Sequence, residues 1–418
     1  MLDRLLKDIY KSPTAFQAID TMSEELEEAG FIRLNENTSY ENLEAGKNYY
    51  VTRNGSSILA FKLGKNMTNP RFKIVSSHSD CPSFKLKPNA LIKDGKNVKL
   101  NTEVYGGAIY SCWLDRPLSL AGRLIAKKDG EFVVKSFDLK EPFCLIPNLA
   151  IHMNRDINNG YKYNPQVDLL PLVNSDQDFD LNKFLAKRAN VDEILNFDLY
   201  LYPFMEGTKW GDYFSSFHID NLECGYTSLY AFLAGKDEEN INVYCCFDNE
   251  EVGSLTKQGA HSDFMSNNLR RIAKALDIDY EAIVARSMMV SADNAHAKHP
   301  NVPSKADPTN APVMNGGIVI KYNANQSYTS DAYSSAIFTE VLKGAKVPFQ
   351  YFTNRSDARG GSTLGNISNA QVSLTCVDIG LAQLAMHSCY ETAGAKDVNY
   401  MILGLKAFYD NNLNFSKL

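Results

Sequence analysis

Apolar residues near the start of the chain recur at helical spacing. Phe16, Ile19, Met22 and Leu26 are separated by polar and acidic residues, and the pattern stops at Gly30. An apolar stripe of this period that ends at a glycine is typical of an amphipathic helix. We therefore expect a helix within residues 13–30.

A different pattern occupies residues 91–212. Short alternating runs at Leu118–Ile125 and Glu131–Val134 predict strands, and Lys128-Asp129-Gly130 predicts a turn between them. No regular alternation of strands with helices is visible in this stretch. We expect a β-rich segment.

From Asp220 onward, helical and strand-like patterns alternate. The predicted helices are Thr227–Leu233 and Asn268–Leu276, and the predicted strands are Ile241–Phe247 and Ser287–Ser291. This rhythm favours a parallel-leaning sheet covered by helices.

Together these patterns predict the domain organisation. Phe72–Val75 adds a core strand ahead of the β-rich stretch. We expect an α/β fold whose helix-covered mixed sheet is built from residues 1–91 and 213–418, interrupted by a β-rich insert at residues 92–212. The length of 418 residues agrees with about two domains.

Composition narrows the function classes. The chain is 44% apolar and 22% charged, and its net charge of −6 gives no basic footprint for nucleic acid or an anionic membrane. The first residues lack the apolar stretch of a signal peptide, and no segment approaches the roughly 18 apolar residues of a membrane span. The eight cysteines include no C-x-x-C pair. We expect reduced thiols in a cytoplasmic protein and no cysteine zinc cluster.

Two adjacent glutamates, Glu250 and Glu251, follow the predicted strand Ile241–Phe247. Burying carboxylates without a partner is costly, so their place at the end of a core strand is informative. Neighbouring side chains on a tight turn diverge, so one can bind a metal while the other faces a metal-bound water. The alternative is a pair of solvated surface charges.

Four further segments place histidines or carboxylates at strand ends or in loops. They are Ser77–Pro82 with His78 and Asp80, His218–Leu222 with Asp220, Ser291–Asn301 with Asp293 and two histidines, and Gln383–Ser388 with His387. Three of them have an ordinary alternative: a hydrogen-bonded structural histidine for His78, a helix N-cap for Asp220 and a satisfied core histidine for His387.

Taken together, the five segments supply two histidines and three carboxylates as metal ligands, with one further carboxylate beside them. This inventory suits two divalent ions such as zinc, with one carboxylate bridging, and cobalt or manganese fits the same ligand types. Calcium would require more oxygen ligands and no imidazole.

The ordered set of motifs resembles the aspartyl aminopeptidases, which are di-zinc exopeptidases. The likeness covers nearly the whole chain. It runs through Ser12-Pro13, Ala29–Phe31, Val104–Gly107, Trp113–Arg116, Leu149–His152, Phe247–Ser254, Ser291–Asn301 and Met386–Ser388. The resemblance implies a co-catalytic zinc exopeptidase fold with a dimerisation insert, and the chain's length points to a bacterial branch.

Carried over to this sequence, the resemblance implies a two-metal site. Asp220 would bridge the ions, with His78 and Asp293 completing one site and Glu251 and His387 the other. Glu250 would be the general base for a metal-bridging hydroxide, and Asp80 would support His78.

The resemblance also implies a substrate and an assembly. The substrate would be a peptide with a free N-terminus, and His296, Lys321 and Tyr328 match substrate-binding positions. His152 would reach the active site of a neighbouring subunit within a tetrahedral dodecamer built from dimers.

An acidic N-terminal residue would need a cation in the pocket, and Lys321 is the candidate. A solvated lysine at a strand end is the alternative, and Arg355 and Arg359 are other candidates. The loop Ala358–Thr363 departs from the cysteine-containing loop of animal members, so a non-acidic preference stays open.

Two other hypotheses compete with an aminopeptidase. One is a hydrolase of the same metal architecture that acts on other amides, such as a deacylase or carboxypeptidase. The other is a catalytically silent scaffold, against which every ligand position and Glu250 are filled.

Overall fold

The computed structural model describes residues 1–411, which form two compact units. The first unit contains residues 1–80, 207–386 and 391 onward, and the second contains residues 81–206 and 387–390. The sequence places the insert at residues 92–212, so the observed divisions lie earlier at both ends. The predicted catalytic domain runs to residue 418, and its last seven positions, 412–418, lie outside the described residues.

A nine-stranded mixed sheet forms the centre of the first unit. In spatial order its strands are Ile32–Arg33, Asn48–Arg53, Ser57–Leu63, Ile241–Phe247, Phe72–His78, Met288–Ala292, Thr375–Gly380, Ile318–Lys321 and Phe349–Phe352. The predicted strand Ile241–Phe247 is confirmed residue for residue, and every residue in it is buried. A strand that is almost wholly apolar and buried along its whole length is typical of a sheet covered on both faces.

Helices of the first unit supply the cover. They are Leu2–Tyr10, Ala15–Glu28, Ile219–Ala234, Phe264–Ala275, Tyr280–Ala285, Ala332–Gly344, Leu364–Gln371 and Asp397–Asp410. The predicted helix within residues 13–30 is confirmed as Ala15–Glu28, and the Thr14 side chain caps it by accepting a hydrogen bond from the Phe16 N–H.

A smaller five-stranded sheet also belongs to the first unit. Its strands, in spatial order, are Thr208–Trp210, Tyr213–Ser216, Glu391–Gly394, Ala382–Leu384 and Ala295–His296. The last of these strands follows Met288–Ala292 directly, so the Ser291–Asn301 segment passes from the large sheet to the small one.

The second unit is built on a six-stranded antiparallel sheet. Its strands, in spatial order, are Glu131–Asp138, Leu118–Lys128, Glu193–Pro203, Ser83–Lys93, Val98–Tyr105 and Leu172–Asn174. The helix Leu181–Ala189 buries Leu181, Leu185 and Ala189, which share one face, in the core of this unit. The predicted β-rich texture of this region is confirmed.

Short 3₁₀ turns complete the described secondary structure. They span Tyr110–Trp113, Ile157–Asn159, Glu250–Val252 and Pro303–Lys305. Among residues 1–411, no helix is both long enough and apolar enough to cross a membrane.

Candidate metal centre

Three neighbouring parallel strands bring the candidate residues to one edge of the large sheet. Phe247 pairs with His78, and Ser291 pairs with Ser76 on the other side of the same strand. The carboxyl ends of these strands therefore lie side by side. In open α/β sheets this edge is where ligands bind. This register brings together His78 at the end of its strand and the Glu250–Glu251 turn and Asp293 just after theirs.

Asp220 reaches the same cluster from an irregular first turn of the helix Ile219–Ala234. The backbone of Asp220 (φ −80°, ψ 109°) and Asn221 (φ −121°, ψ 22°) departs from helical geometry. The Asp220 N–H donates to Oε2 of Glu391 at 2.9 Å. This contact fixes the backbone that carries the Asp220 carboxylate.

Distances within the cluster suit a metal ion. Nε2 of His78 lies 3.5 Å from Oδ1 of Asp293 and 3.8 Å from Oδ1 of Asp220. Ligand atoms of these three residues all lie within 4.8 Å of one another, as do those of His78, Glu250 and Glu251. Imidazole and carboxylate donors at such spacing match zinc, cobalt or manganese chemistry.

Asp80 organises the turn that carries the glutamates. Its two carboxylate oxygens accept the backbone N–H groups of Glu250 at 3.0 Å and of Glu251 at 3.1 Å. Its Oδ1 also lies 3.4 Å from Nδ1 of His78. The carboxylate thus contacts the far side of the imidazole, an arrangement that orients a metal-binding histidine.

The electrostatics of the cluster favour a cation. Burial raises the pKa of Glu250 to about 8, and the charges of Asp293, Asp80 and Asp220 act in the same direction. Burial also raises the pKa of Glu251 well above its ordinary value. Buried carboxylates that repel one another are stabilised by a divalent ion, so the residues present fit metal binding.

Asp293 behaves differently because a buried cation lies beside it. Burial opposes ionisation, but the Lys321 charge and the His78 hydrogen bond outweigh it and hold the pKa of Asp293 below its usual range. Nζ of Lys321 lies 3.4 Å from Oδ2 of Asp293, and Thr363 Oγ1 donates to the same oxygen at 2.8 Å. Lys321 is 1% exposed, so the solvated alternative for this lysine is wrong.

The other predicted substrate residues lie in the first unit. His296 is exposed, and its ring centroid lies 6.1 Å from that of Phe352. The buried Tyr328 ring contacts the same phenylalanine and lies 5.0 Å from Nζ of Lys321. Their roles in substrate binding stay predictions.

The two arginine alternatives to Lys321 have different surroundings. Arg355 pairs with Asp357 and donates to the Ser304 carbonyl oxygen. Arg359 is exposed.

Two predicted site residues belong to the second unit. His152 is exposed within a turn at residues 151–153. Nδ1 of His387 lies 3.0 Å from the carbonyl oxygen of Gly107. Donation from Nδ1 to this oxygen would leave the imidazole lone pair on Nε2. The metal-binding role of His387 and the contribution of His152 to a neighbouring subunit stay predictions.

Sequence reasoning missed Asn221. Its Nδ2 donates to the Ala292 carbonyl oxygen at 2.9 Å, and its Oδ1 accepts the Asn294 N–H at 3.3 Å. These bonds tie the Asp220 turn to the strand end on both sides of Asp293. An asparagine after an aspartate at a helix start has ordinary capping as its first interpretation, so the sequence carries no specific signal for this contact.

Glu391 and Thr363 were missed as well. They contact the Asp220 N–H and the Asp293 carboxylate from segments that are distant in the sequence. Neither residue stands in a recognisable motif, because long-range contacts of this kind depend on the tertiary fold.

Comparison with known proteins gives consistent results at the level of sequence. The family model described as aminopeptidase I zinc metalloprotease (M18) matches residues 9–409. A probable M18 family aminopeptidase 2 from Clostridium novyi (strain NT) is 45% identical over 427 residues, covering 98% of each chain. Its counterpart from Clostridium acetobutylicum is 43% identical over 424 residues, covering 97% of this chain and 98% of the relative.

Solved structures agree with this fold. A chain in the cryo-EM structure of the Ape4 and Nbr1 complex has a TM-score of 0.93 and 32% identity, covering 97% of this chain and 84% of that one. The structure of the S. cerevisiae mApe1 dodecamer has a TM-score of 0.86 and 27% identity, covering 97% of this chain and 95% of that one. The expected helix-covered mixed sheet is confirmed by these likenesses.

Proposed function

The chain belongs to the M18 family of zinc metallo-aminopeptidases, and we propose that it removes acidic N-terminal residues from peptides through a two-metal centre with Glu250 as general base. The observation that carries the proposal is the partly buried cluster of His78, Asp220, Asp293 and the two glutamates at the carboxyl ends of parallel strands.

Residues of the cluster divide into two ligand sets in this proposal. Asp220 would be shared by both ions, His78 and Asp293 would complete one set, and Glu251 and His387 would complete the other. When bound, zinc ions supply an acidified water and a positive charge for the scissile carbonyl group. The short spacing among the ligand atoms of His78, Asp220 and Asp293 supports the first set.

Glu250 moves the proton. Its carboxylate takes a proton from the attacking water and gives it to the departing amine. The position of Glu250 supports this role, because its carboxylate lies within 4.8 Å of the ligand atoms of His78 and Glu251. Asp80 fixes the backbone of Glu250 through the hydrogen bond at 3.0 Å, which keeps the carboxylate oriented.

Assembly supplies a further group to the active site in this proposal. His152 of one subunit donates to the oxyanion that develops in a neighbouring subunit, as preorganised donors do in acyl transfer. Its exposure supports a position available to a partner. The dodecamer described for S. cerevisiae mApe1 supports a dodecameric assembly, for which we propose a tetrahedral arrangement built from dimers.

Lys321 gives the acidic preference its physical basis. A buried ammonium group attracts a substrate carboxylate strongly, since burial weakens the screening of charges. Its contact with Asp293 satisfies part of that charge, which favours a second candidate: an aminopeptidase that prefers uncharged N-terminal residues.

An assay of aminoacyl amides separates these possibilities. The amides of Asp, Glu, Leu, Lys and Ala are tested with zinc, cobalt and manganese, and N-acetyl-Asp amide serves as the blocked control. We expect cleavage of Asp and Glu amides, none of the blocked amide and no activity after metal chelation. Faster cleavage of Leu than Asp would select the second candidate. Cleavage of the blocked amide alone would indicate a deacylase-type hydrolase.

A further inference from the structure

Two cysteines of the second unit contact each other. Cys112 lies in the 3₁₀ turn Tyr110–Trp113, and Cys389 lies in the segment 387–390. The Cys389 N–H donates to Sγ of Cys112 at 3.0 Å, and the Cys389 thiol lies 2.7 Å from the Cys112 carbonyl oxygen. The side chain of Cys389 also hydrogen-bonds the Cys112 sulfur. Each sulfur therefore packs against the other residue's backbone, and the two side chains touch.

The surroundings of Cys112 favour its thiolate. The hydrogen bond from the Cys389 side chain outweighs partial burial and, with the Cys389 N–H and the Ser388 side chain, lowers the pKa of Cys112 to about 6. Cys112 is also half-buried rather than buried, so a small oxidant can reach it. Low-pKa, accessible thiols next to a second thiol are the ones that oxidise selectively.

Four other thiols have the opposite character. Burial raises the pKa of Cys144, and it raises the pKa of Cys245, Cys246 and Cys376. All four are buried. Their thiols are protonated near neutral pH and shielded, which makes them unreactive core residues.

We propose that Cys112 and Cys389 form a modification site, a dithiol that hydroperoxides oxidise reversibly to a disulfide. The Cys112 thiolate attacks one oxygen of hydrogen peroxide, forming a sulfenic acid and releasing hydroxide. The Cys389 sulfur then attacks the Cys112 sulfur, the S–O bond breaks, and the second hydroxide leaves. The protons of the two thiols convert both hydroxides to water. Two thiols thereby lose two electrons and two protons, and peroxide is reduced to two waters.

Oxidation has a structural consequence beside His387. The backbone N–H of Ile109 donates to the His387 carbonyl oxygen at 3.0 Å, so the Cys112 turn and the segment 387–390 are already joined there. A disulfide requires a sulfur–sulfur distance of about 2.05 Å, shorter than any thiol hydrogen bond. Closing the bond replaces the contacts that hold Cys389 and displaces the backbone two residues after His387. We expect this displacement to reduce peptidase activity. That expectation rests on the proposed function, whereas disulfide formation does not.

Peptide mapping of the full chain tests the disulfide. The protein is treated with one to two equivalents of hydrogen peroxide, unfolded and blocked with iodoacetamide, then digested and analysed by mass spectrometry with and without dithiothreitol. We expect a linked Cys112–Cys389 peptide that dithiothreitol removes, with Cys144 and Cys376 still alkylated. No linked peptide, together with equal alkylation of Cys112 and Cys144 in native protein, would overturn the proposal.

Variants separate the two chemical steps. In Cys389→Ser the sulfenic acid on Cys112 should persist and react with dimedone, and in Cys112→Ser Cys389 should stay reduced. Cys144→Ala is the control from the same core and should form the disulfide normally. If either serine variant fails to fold, alkylation rates of wild-type Cys112 across pH 5–8 still report whether its thiolate forms at a pH below the ordinary pKa of a cysteine thiol.

Activity distinguishes the disulfide from its effect. Reduced wild-type protein should regain full peptidase activity after dithiothreitol, while Cys389→Ser should resist reversible inactivation. If the disulfide is mapped but peptidase activity is unchanged, the proposed effect of oxidation on the segment 387–390 is wrong. A reduced enzyme without any peptidase activity would instead contradict the proposed function and leave the disulfide result standing on its own.

Discussion

The ammonium group of Lys321 lies 2.9 Å from the backbone carbonyl oxygen of Asp293 and 3.4 Å from its carboxylate. Lys321 is buried and Asp293 is partly buried in the first unit, and the Lys321 charge helps to keep Asp293 ionised. The pair accounts for a difference within the cluster. Asp293 stays charged without metal, whereas Glu250, which faces other carboxylates, holds a proton near neutral pH.

Replacing Lys321 with methionine should weaken metal binding. Met keeps much of the side-chain volume but removes the charge that stabilises ionised Asp293. Loss of such a supporting group typically lowers metal affinity 10–100-fold. Competition with a zinc chelator at pH 7 measures the change, and Lys298→Met, at an exposed position in the same segment as Asp293, is the control. An unchanged zinc affinity in Lys321→Met would contradict the role of this pair.

Replacing each of the two glutamates with glutamine should impair the enzyme in a different way. Glu250→Gln is expected to bind zinc at the wild-type stoichiometry while kcat falls about 10²–10⁴-fold, because a proton shuttle is removed. Glu251→Gln is expected to lose bound zinc. Metal analysis of dialysed protein and steady-state kinetics measure both, with the exposed Glu281→Gln as control. Full peptidase activity in Glu250→Gln would reject the mechanism.

Asn221→Ala should destabilise the protein around the metal centre. The substitution removes two hydrogen bonds and leaves the buried Ala292 carbonyl oxygen and Asn294 N–H without that partner. The expected loss is about 1–3 kcal/mol in the free energy of unfolding. Denaturant unfolding of chelator-treated protein gives the value without a metal contribution. Asn267→Ala removes an exposed asparagine that contacts Asp263 and should change stability little. Equal effects of the two substitutions would show that the Asn221 contacts carry no special weight.

The sequence predicted the elements whose residues are buried along their whole length. Ile241–Phe247 is apolar except for Asn242 and is flanked by polar residues, so its boundaries are visible. The parallel register then explains why His78, Glu250 and Asp293 could be grouped, since each lies at or just after the end of a core strand. The first residue of the insert was predicted less accurately. The strand Ser83–Lys93 begins directly after the His78–Asp80 segment, with no linker to mark the change of unit.

Contacts between residues that are distant in the sequence could not be predicted from it. A lysine at the end of Ile318–Lys321 gives the same pattern whether it is solvated or buried against Asp293. Its 1% exposure depends on the strand order, which places Ile318–Lys321 beside Thr375–Gly380. The Cys112–Cys389 contact is similar, because 277 positions separate the two residues.

Stability of the metal-free protein should fall as the pH rises from 5.5 to 8.5. The folded-state pKa values of Glu250, Glu251 and His78 all lie above their ordinary values, so the folded protein holds more protons than the unfolded chain in this range. For Glu250 the effect begins near its ordinary pKa of 4.5 and is complete above about 8. Each pKa unit corresponds to about 1.4 kcal/mol.

Zinc should reverse this trend, because the ion binds deprotonated ligands and binding releases protons. Thermal unfolding of chelator-treated and zinc-loaded protein at both pH values tests the sign. The chelator-treated form should have the lower Tm at pH 8.5, and the increase in Tm on adding zinc should be larger there than at pH 5.5. Glu250→Gln removes one of the groups that lose a proton, so its metal-free Tm should fall less between the two pH values. A metal-free wild-type Tm that rises with pH, together with an unaltered slope in Glu250→Gln, would mean that protons on these buried carboxylates do not control stability in this range.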